Sequence, residues 1–590
     1  MQKEFLAFYH DELQTLRRRA TVFSRTYPEA AAKLRLVEGL ADDPHVERLI
    51  ESFAFISARI RHKLEDSFPE LSAGLIEAIY PHLLAPRPAM SLVSLVPSPD
   101  LTAVQRVPRG FELLSDDING DKCRFRTTQA VDLIPAKIID VRYETDREVL
   151  SSCPFDTAQS ALIISLSPLK KDGHLGAAGL KTLRFHLSGT WEQASLLYMR
   201  ILANAVGMSL CNTQDTEEPE FLSSDHIVPA GFADEEGLLQ PSAHFHTGLR
   251  LLSEFFALKH KFLFFDISGL ENWQSKKLTL TIYLDRQDSA LRKNLTADSI
   301  SLNTTPVINL FQQRCEPVHV NGEREQYPFV PDYRFRQTRK FHSVDCVTAV
   351  SENGATILCH PAGHAKICSG SSSLVWQIVR DSSAGEDEDC MIGFSGSALD
   401  RGQSFVAQIE ALCTNGQLPN QLPYNNGSLQ LLPAKPHSMI AAIRCLMPFT
   451  SSVAKPLSGD QLWRFIAHLR VNHLSISNDT GQTLREILRL YQANEDADGQ
   501  KFIDSVQSVT PRSSMYRLRQ GGFAAATDFD ICFSADTISP AGIFIFASVL
   551  NRFLQLYTSI NSFSRVTARM ENLAEPVVRF PFCPSIRKPV

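Results

Sequence analysis

The sequence predicts a multidomain α+β protein with an N-terminal helical bundle segment, β-rich middle domains and a C-terminal α/β module. A chain of 590 residues exceeds what one hydrophobic core usually serves. Apolar residues recur at helical spacing before residue 88 and again after residue 447. Between these regions, short alternating runs such as MSLVSLV and KIIDVRY indicate strands. We therefore expect four structural parts.

Residues 1–88 are predicted to form an N-terminal helical domain that takes part in a core bundle. Asp43 suits a helix N-cap with Pro44 at the first helical position, and Pro69 ends the pattern. The apolar positions between these two prolines share one stripe: Val46, Leu49, Ile50, Phe53, Ile56, Ile60 and Leu64. A stripe of about five turns predicts that this helix packs into a bundle, either within the chain or with other chains.

Two β-rich parts are predicted to follow the proline-rich segment 86–99. Residues 89–300 are expected to form an arm domain with one inserted helix at 248–262. Residues 301–446 are expected to form a loop-rich middle domain, in which SVDCVTAV alternates as a strand does. Proline and glycine recur throughout this second part, which predicts irregular connections.

Residues 447–590 are predicted to form the C-terminal α/β module. Its helical segments include one near Trp463, one over 484–491 and one over 544–557. The last of these, FIFASVLNRFLQLY, is apolar on every side. A helix of that kind is usually buried in a core or at a subunit interface.

Composition and charge exclude several classes of protein. The chain is 44% hydrophobic and 21% charged with a formal net charge of −6, which is ordinary for a globular protein and argues against a sequence-independent nucleic-acid binder. Its twelve cysteines contain no Cys-x-x-Cys pair, as expected of reduced thiols. The N-terminus lacks the apolar core of a secretory signal, and runs such as AGIFIFASVL reach about half the length that crosses a bilayer. We therefore predict a cytoplasmic protein.

The sequence carries no strong catalytic motif. It contains no phosphate-binding loop ending in Gly-Lys-Ser/Thr, no zincin motif and no Gly-x-Ser-x-Gly elbow, so we predict that the protein is not an enzyme and needs no cofactor. The alternative is a cytoplasmic metal-dependent hydrolase that uses the loop CHPAGHAKIC. That loop offers zinc-type ligands: Cys359, His360, His364 and Cys368. Its spacing matches no familiar zinc site, which favours a plain strand-turn-strand.

Two further clusters of charged residues have structural explanations. The segment NEDADGQKFIDS begins like a calcium loop but ends in Ser505, where a bidentate Glu is needed, which favours an acidic surface turn. His45 and His62 are about 25 Å apart along a straight helix, so they cannot share a metal within it.

The segment VPDYRFRQTRKF interleaves aromatic residues with Arg334 and Arg336. This alternation suits three structures: a basic groove that stacks nucleic-acid bases, a strand with one solvated cationic face, or a protein interface anchored by Arg and Tyr. The overall acidity argues against nucleic acid.

Several quoted segments carry a family resemblance that spans nearly the whole chain. DPHVERLIESFAFISARIRHKLEDSFPEL resembles the N-terminal signature of the TssF (VasA/ImpG-type) family of type VI secretion system baseplate subunits. Further matches follow in order: LNTTPVINLFQ, YPFVPDYR, SVDCV, LCTNGQLPNQLP, LWRFIAHLRVNHLSI, LREILRLYQ and FASVLNRFLQLYTSINSFSR.

The resemblance implies a structural role in assembly. It implies wedge complexes with TssG, TssK and a second copy of TssF around the VgrG spike, with TssE and neighbouring wedges attached. Such a baseplate is the platform on which the inner tube and contractile sheath polymerise to deliver effectors, and it docks indirectly on the inner-membrane complex. The family is also similar to wedge subunits of contractile phage baseplates. No nucleic acid or small-molecule substrate is implied.

The resemblance also implies residues that contact partners. The helix of the opening signature contributes candidates for the shared bundle: Phe53, Ile56, Ile60 and Leu64. The C-terminal module contributes motif positions: Trp463, Phe553, Tyr557 and Phe563. Arg334 and Arg336 are candidates for an interface in the middle domain.

Overall fold

The computed structural model describes residues 2–585 except 34–35, 38–39, 42, 66–73, 75, 77–83, 147–149, 151–152, 171, 213–218, 240–246, 363–373, 381–389, 397–403, 425–428, 454–458, 469–480, 493–496, 519–520 and 559–560. For 2–8, 33, 36–37, 40–41, 61–65, 459–460 and 468 it describes the backbone alone. The chain divides into two compact units. The smaller comprises Met1–Ala78 and Leu457–Arg470, and the larger Ile79–Pro456 and Val471–Val590.

The smaller unit is helical. Its elements are α1 (Gln2–Thr26), α2 (Pro28–Lys33), the strand pair β1 (Leu36–Val37) and β2 (Leu40–Ala41), α3 (Pro44–Glu65) and α7 (Gly459–His468). The predicted cap of α3 is confirmed, because the Asp43 Oδ1 accepts a hydrogen bond from the His45 backbone N–H at 2.9 Å and the helix begins at Pro44. Helix α3 packs against α1.

The larger unit contains a closed β-barrel. Its strands, in spatial order, are β17 (Thr304–Ile308), β3 (Met90–Pro97), β27 (Ile440–Cys445), β26 (Leu429–Pro433), β5 (Glu112–Ile118) and β6 (Asp121–Thr127). A separate pair, β4 (Gln105–Val107) and β7 (Val131–Leu133), supplies side chains to the same core. The barrel takes strands from both predicted middle parts, so the boundary predicted at residue 300 divides a single core.

Two antiparallel sheets and three helices form the arm. One sheet has the order β12 (Glu220–Ser223), β11 (Ala205–Cys211), β15 (Leu278–Leu284), β9 (Ser160–Pro168) and β8 (Ala136–Glu144). The other has the order β13 (Ile227–Ala230), β14 (Phe264–Ile267), β10 (Leu183–Leu187) and β16 (Ile300–Ser301). The inserted helix is present as α5 (Thr247–Ala257) followed by a 3-10 turn at Lys259–Phe262. The prediction of one helix was incomplete, since α4 (Trp191–Asn204) and α6 (Ser289–Asn294) also lie here.

A large sheet follows the barrel strand β17. Its order is β18 (Phe311–Arg314), β25 (Phe405–Thr414), β21 (Lys340–Ser351), β22 (Thr356–Pro361), β23 (Val375–Arg380), β24 (Cys390–Ser395) and β20 (Gln326–Phe329), and β19 (Val318–Val320) also pairs with β25. All of its pairs are antiparallel except that between β22 and β23.

Two buried asparagines join this sheet to the barrel. The Asn309 side-chain amide donates to the Asn415 Oδ1 and to the Arg124 carbonyl, both at 2.8 Å, and the Asn415 backbone N–H donates to the Asn309 Oδ1 at 2.7 Å. The Asn415 Oδ1 also accepts from the Arg124 N–H at 2.9 Å. These residues lie in LNTTPVINLFQ and LCTNGQLPNQLP, so both segments hold two sheets together.

The C-terminal part combines helices with another sheet. Helices α8 (Gln482–Tyr491) and α9 (Ala497–Asp504) precede a sheet of β28 (Val506–Arg517), β29 (Phe523–Phe533), β30 (Phe563–Met570) and β31 (Val578–Arg579), with β32 (Cys583–Pro584) also on β30. Helix α10 (Pro540–Leu554) connects the parallel strands β29 and β30. It packs on β30, α4 and α5, so its apolar circumference is buried in the chain's own core. Among the described residues, no helix combines the length and apolar character needed to cross a membrane.

Candidate interaction surface

Helix α3 carries a packed face and, on its opposite side, an exposed apolar face. Ala54 and Ala58 are fully buried, and they lie on the same side of the helix as Glu47. The Glu47 carboxylate forms an ion pair of 2.6 Å with Arg17 of α1, which identifies this side as the contact with α1. Small alanines let the two helix backbones approach closely.

The exposed face lies about 150° around the helix from the packed one. Four apolar side chains form it, which we call the outer stripe: Leu49 (70% exposed), Phe53 (60%), Ile56 (55%) and Ile60 (56%). Their spacing of four, three and four residues keeps them within an arc of about 60°. This is the a/d pattern of a helix that packs against another helix. The sequence placed these residues on one stripe with Val46 and Ile50, and the structure separates the two sets, because Val46 and Ile50 are half-buried.

Basic residues border the outer stripe. Arg48 and Arg59 are exposed about 100° around the helix from the middle of the stripe, eleven residues and about three helical turns apart. Neither forms an ion pair with a carboxylate among the described residues. The outer stripe therefore offers apolar contacts together with an edge of positive charge. Sequence reasoning did not single out Arg59, although its spacing from Arg48 was available as a signal.

A shallow depression of about 370 Å³ adjoins the stripe. Its lining consists of Tyr9, Glu51, Ser52, Phe55 and Ile56. The rings of Tyr9 and Phe55 approach within 6.5 Å, edge to face, so α1 and α3 build the depression together.

Two further candidates, Leu64 and Trp463, lie in helices of the smaller unit. Leu64 belongs to α3, and only its backbone is described. Trp463 is half-buried in α7, beside the buried Leu462 and Phe465.

Two predicted partner contacts are core positions instead. Phe553 and Tyr557 are buried in the larger unit, with ring centroids 5.2 Å apart, and Phe553 also meets Tyr491. Phe563 is half-buried, and its ring lies 4.5 Å from Tyr516. Their burial in the single chain leaves Phe553 and Tyr557 almost no surface for a partner, because helix α10, which contains Phe553 and ends just before Tyr557, packs inward.

Arg334 and Arg336 lie on a turn. Residues Tyr333–Phe335 form a 3-10 turn, so the alternation of aromatic and basic residues does not come from a strand. Both arginines and Tyr333 are exposed. Phe341 is buried and Phe335 is half-buried beneath Arg339, so one ring of the motif is available at the surface.

The cysteine and histidine loop is only partly described. Cys359 is buried in β22 opposite Val347, and burial raises the pKa of its thiol to about 11, which opposes formation of a free thiolate. His360 is half-buried, and His364 and Cys368 lie outside the described residues. In the described part of the chain, no three His, Cys, Asp or Glu side chains are grouped as a metal site requires.

The predicted calcium-like loop contributes to a helix. Asp498 lies in α9, where its carboxylate pairs with Lys501 and Lys259, both at 3.0 Å. Hydrogen bonds from these lysines lower the pKa of Asp498. The first ligands of the motif, Asn494 and Asp496, are outside the described residues.

The sequence is similar to one family of known proteins along nearly its whole length. The family model described as type VI secretion system, TssF, matches residues 1–587. A curated relative, the type VI secretion system component TssF1 of Pseudomonas aeruginosa PAO1, is 28% identical over 628 residues, with full coverage of both chains.

Two solved structures have similar folds. One is a chain of the TssK-TssF-TssG baseplate subcomplex of the type VI secretion system, determined by cryo-electron microscopy, with a TM-score of 0.75, 24% identity and coverage of 92% of this chain and 100% of that chain. The other is a chain of the baseplate complex from the type VI secretion system, with a TM-score of 0.65, 22% identity and coverage of 99% and 100%. The sheet-rich mixture of helices and strands is shared with both. Because the family model spans almost every residue and the curated relative matches end to end, this chain belongs to the TssF family of type VI secretion system proteins.

Proposed function

We propose that this protein is a non-enzymatic structural component of the type VI secretion baseplate. It forms wedge complexes with TssG and TssK around the VgrG spike, and the assembled wedges are the platform for the inner tube and contractile sheath that deliver effectors. Family membership and the similarity to a TssK-TssF-TssG subcomplex support this role.

The outer stripe is the observation that carries the proposal. Leu49, Phe53, Ile56 and Ile60 leave more than half of each side chain exposed to water, which is unfavourable for residues at coiled-coil spacing. Contiguous exposed apolar surface of this kind marks an interaction site. The occupants we propose are helices of TssG and of a second copy of this chain, in a core bundle.

The basic edge specifies the partner helix further. In this register Arg59 occupies a g position, where coiled coils place charged residues, and Arg48 occupies a c position on the same side of the helix. A partner helix with carboxylates beside its apolar seam satisfies both arginines, whereas a basic one is repelled. The favoured orientation of the partner therefore depends on charge as well as apolar contact.

Three further features are proposed from membership of the family. They are contacts with TssE and neighbouring wedges, indirect recruitment of a cytoplasmic baseplate to the inner-membrane complex, and kinship with contractile phage wedge subunits. The proposed layout keeps residues 1–88 as the bundle domain, and the barrel and its flanking sheets as the body that carries other contacts.

Coexpression with TssG and TssK, followed by size-exclusion chromatography, tests this function. Wild-type chain is expected to elute with both proteins. A double variant, Phe53→Asp with Ile60→Asp, is expected to elute alone, because binding would bury two unpaired carboxylates.

A matched control separates interface loss from general damage. Ile139→Asp with Leu358→Asp changes two apolar residues of similar exposure in the larger unit and is expected to co-elute normally. Circular dichroism checks that every variant is folded. Co-elution of the Phe53/Ile60 variant at wild-type yield contradicts the placement of the interface, and a folded wild-type chain that ignores both proteins contradicts the wedge role.

A further inference from the structure

The turn at residues 332–339, called here the Tyr333 turn, projects from a rigid base. The Asp332 Oδ1 accepts the Arg334 backbone N–H at 3.0 Å and closes the 3-10 turn. Arg339 pairs with Asp332 at 2.8 Å and with Asp121 at 3.1 Å, and its guanidinium lies 4.0 Å above the ring of Phe335. These contacts join both ends of the turn to each other.

The base of the turn is anchored in the barrel. Asp121 is the first residue of β6, directly after the turn that joins β5 to β6, and its side chain is 5% exposed. It also accepts a hydrogen bond of 2.7 Å from the Thr338 hydroxyl. A buried, charge-assisted network of this kind holds its members in one geometry. The tip of the turn is therefore preorganised, so a partner would pay little entropy to order it.

The tip presents one aromatic ring and two arginines to water. The Tyr333 side chain is 67% exposed, and Arg334 and Arg336 are exposed beside it. The neighbouring carboxylates, Asp332 and Asp121, are mostly buried and engaged by Arg339. Arg334 therefore gives the tip an exposed positive charge. Tyr and Arg are the residue types enriched at energetic centres of protein interfaces.

We infer that the Tyr333 turn is a second docking point, distinct from the outer stripe, that receives an acidic surface of another protein. Charge complementarity selects carboxylates, which Arg334 binds, while the Tyr333 ring supplies apolar contact. Nucleic acid fits less well, because stacking of successive bases requires more than one exposed ring and Phe335 and Phe341 are covered. The inference uses the complex with TssG and TssK given by the proposed function.

Site-directed photo-crosslinking tests it. The photoreactive amino acid p-benzoylphenylalanine is incorporated at position 333 of the full chain, which is coexpressed with TssG and TssK, irradiated and mapped by mass spectrometry. The expected product joins position 333 to a carboxylate-rich segment of another subunit. Adding Arg334→Glu is expected to lower the crosslink yield about tenfold, the size of a moderate hot-spot loss.

Controls make each outcome decisive. Arg292→Glu, a charge reversal at an exposed arginine of α6, is expected to leave the yield unchanged. A probe at position 53 reports on the outer stripe. Crosslinking from 53 without crosslinking from 333 overturns the docking point and leaves the proposed function standing, whereas no crosslink from either overturns both. A crosslink from 333 to a segment without carboxylates, a yield that Arg334→Glu does not change, or binding of a short DNA duplex that Arg334→Glu abolishes also overturns it.

Discussion

The two faces of α3 predict opposite effects for similar substitutions. In Phe53→Asp, the ring that is lost is 60% exposed, so the free chain loses at most about 1 kcal/mol of burial. In Ala58→Asp, a carboxylate enters a fully buried position on the side that packs against α1, at a cost of about 3 kcal/mol or more. The first change should leave the helix pair folded, and the second should open it.

Hydrogen–deuterium exchange of the isolated chain measures this difference locally. Since each 1.4 kcal/mol is a factor of ten, Ala58→Asp should reduce the protection of α1 and α3 amides about a hundredfold. Phe53→Asp should reduce it less than about tenfold. Exchange from the larger unit is the internal reference. If Phe53→Asp opens the helices as much as Ala58→Asp does, Phe53 belongs to the core of the chain and the outer stripe is not a free surface.

Three further predictions concern the larger unit. Asn309→Ala leaves the buried groups that its amide contacts without partners and should cost about 2–4 kcal/mol, measured as a lower urea midpoint; an unchanged midpoint contradicts the role of this joint. Burial lowers the pKa of His186 to about 3 and that of His260 to about 4, so the unfolded chain binds more protons than the folded chain below about pH 6.5. The free energy of unfolding should therefore fall as the pH drops from about 6.5 towards 4, by up to about 1.4 kcal/mol per pH unit for each histidine. His186→Gln should flatten this slope in urea titrations at several pH values, and an unchanged slope would contradict a buried neutral His186. Glu254→Gln removes the carboxylate that pairs with the buried Arg250 and Lys261, so calorimetry should show a strongly lowered melting temperature. The control Glu271→Gln, at an exposed site, should leave the melting temperature unchanged. Equal melting temperatures for the two variants would contradict a stabilising role for the Glu254 ion pairs.

Local sequence patterns predicted the helices of the smaller unit well. Asp43, Pro44 and the apolar spacing identified α3 correctly, because capping and periodicity act within a few residues. The pattern did not distinguish which half of the stripe is covered. That depends on Ala54 and Ala58, which are too small to stand out as a hydrophobic stripe but allow α1 to approach.

Long-range pairing limited the prediction of the larger unit. Strand β3 pairs with β17 and β27, which lie more than two hundred residues later, so periodicity could not reveal that one barrel spans both β-rich parts. Helix α4 was missed because WEQASLLYMRILAN is buried on several sides. Phe553 and Tyr557 match family motifs, and only the packing of α10 against α4 and α5 shows that they are core residues.

The outer stripe is expected to be covered when the wedge assembles. Hydroxyl-radical footprinting, read residue by residue by mass spectrometry, compares the free chain with its purified complex with TssG and TssK. Oxidation is expected to be fast in the free chain and to fall severalfold in the complex at four side chains: Leu49, Phe53, Ile56 and Ile60. Equal oxidation of these four side chains in the free and assembled states would contradict this expectation.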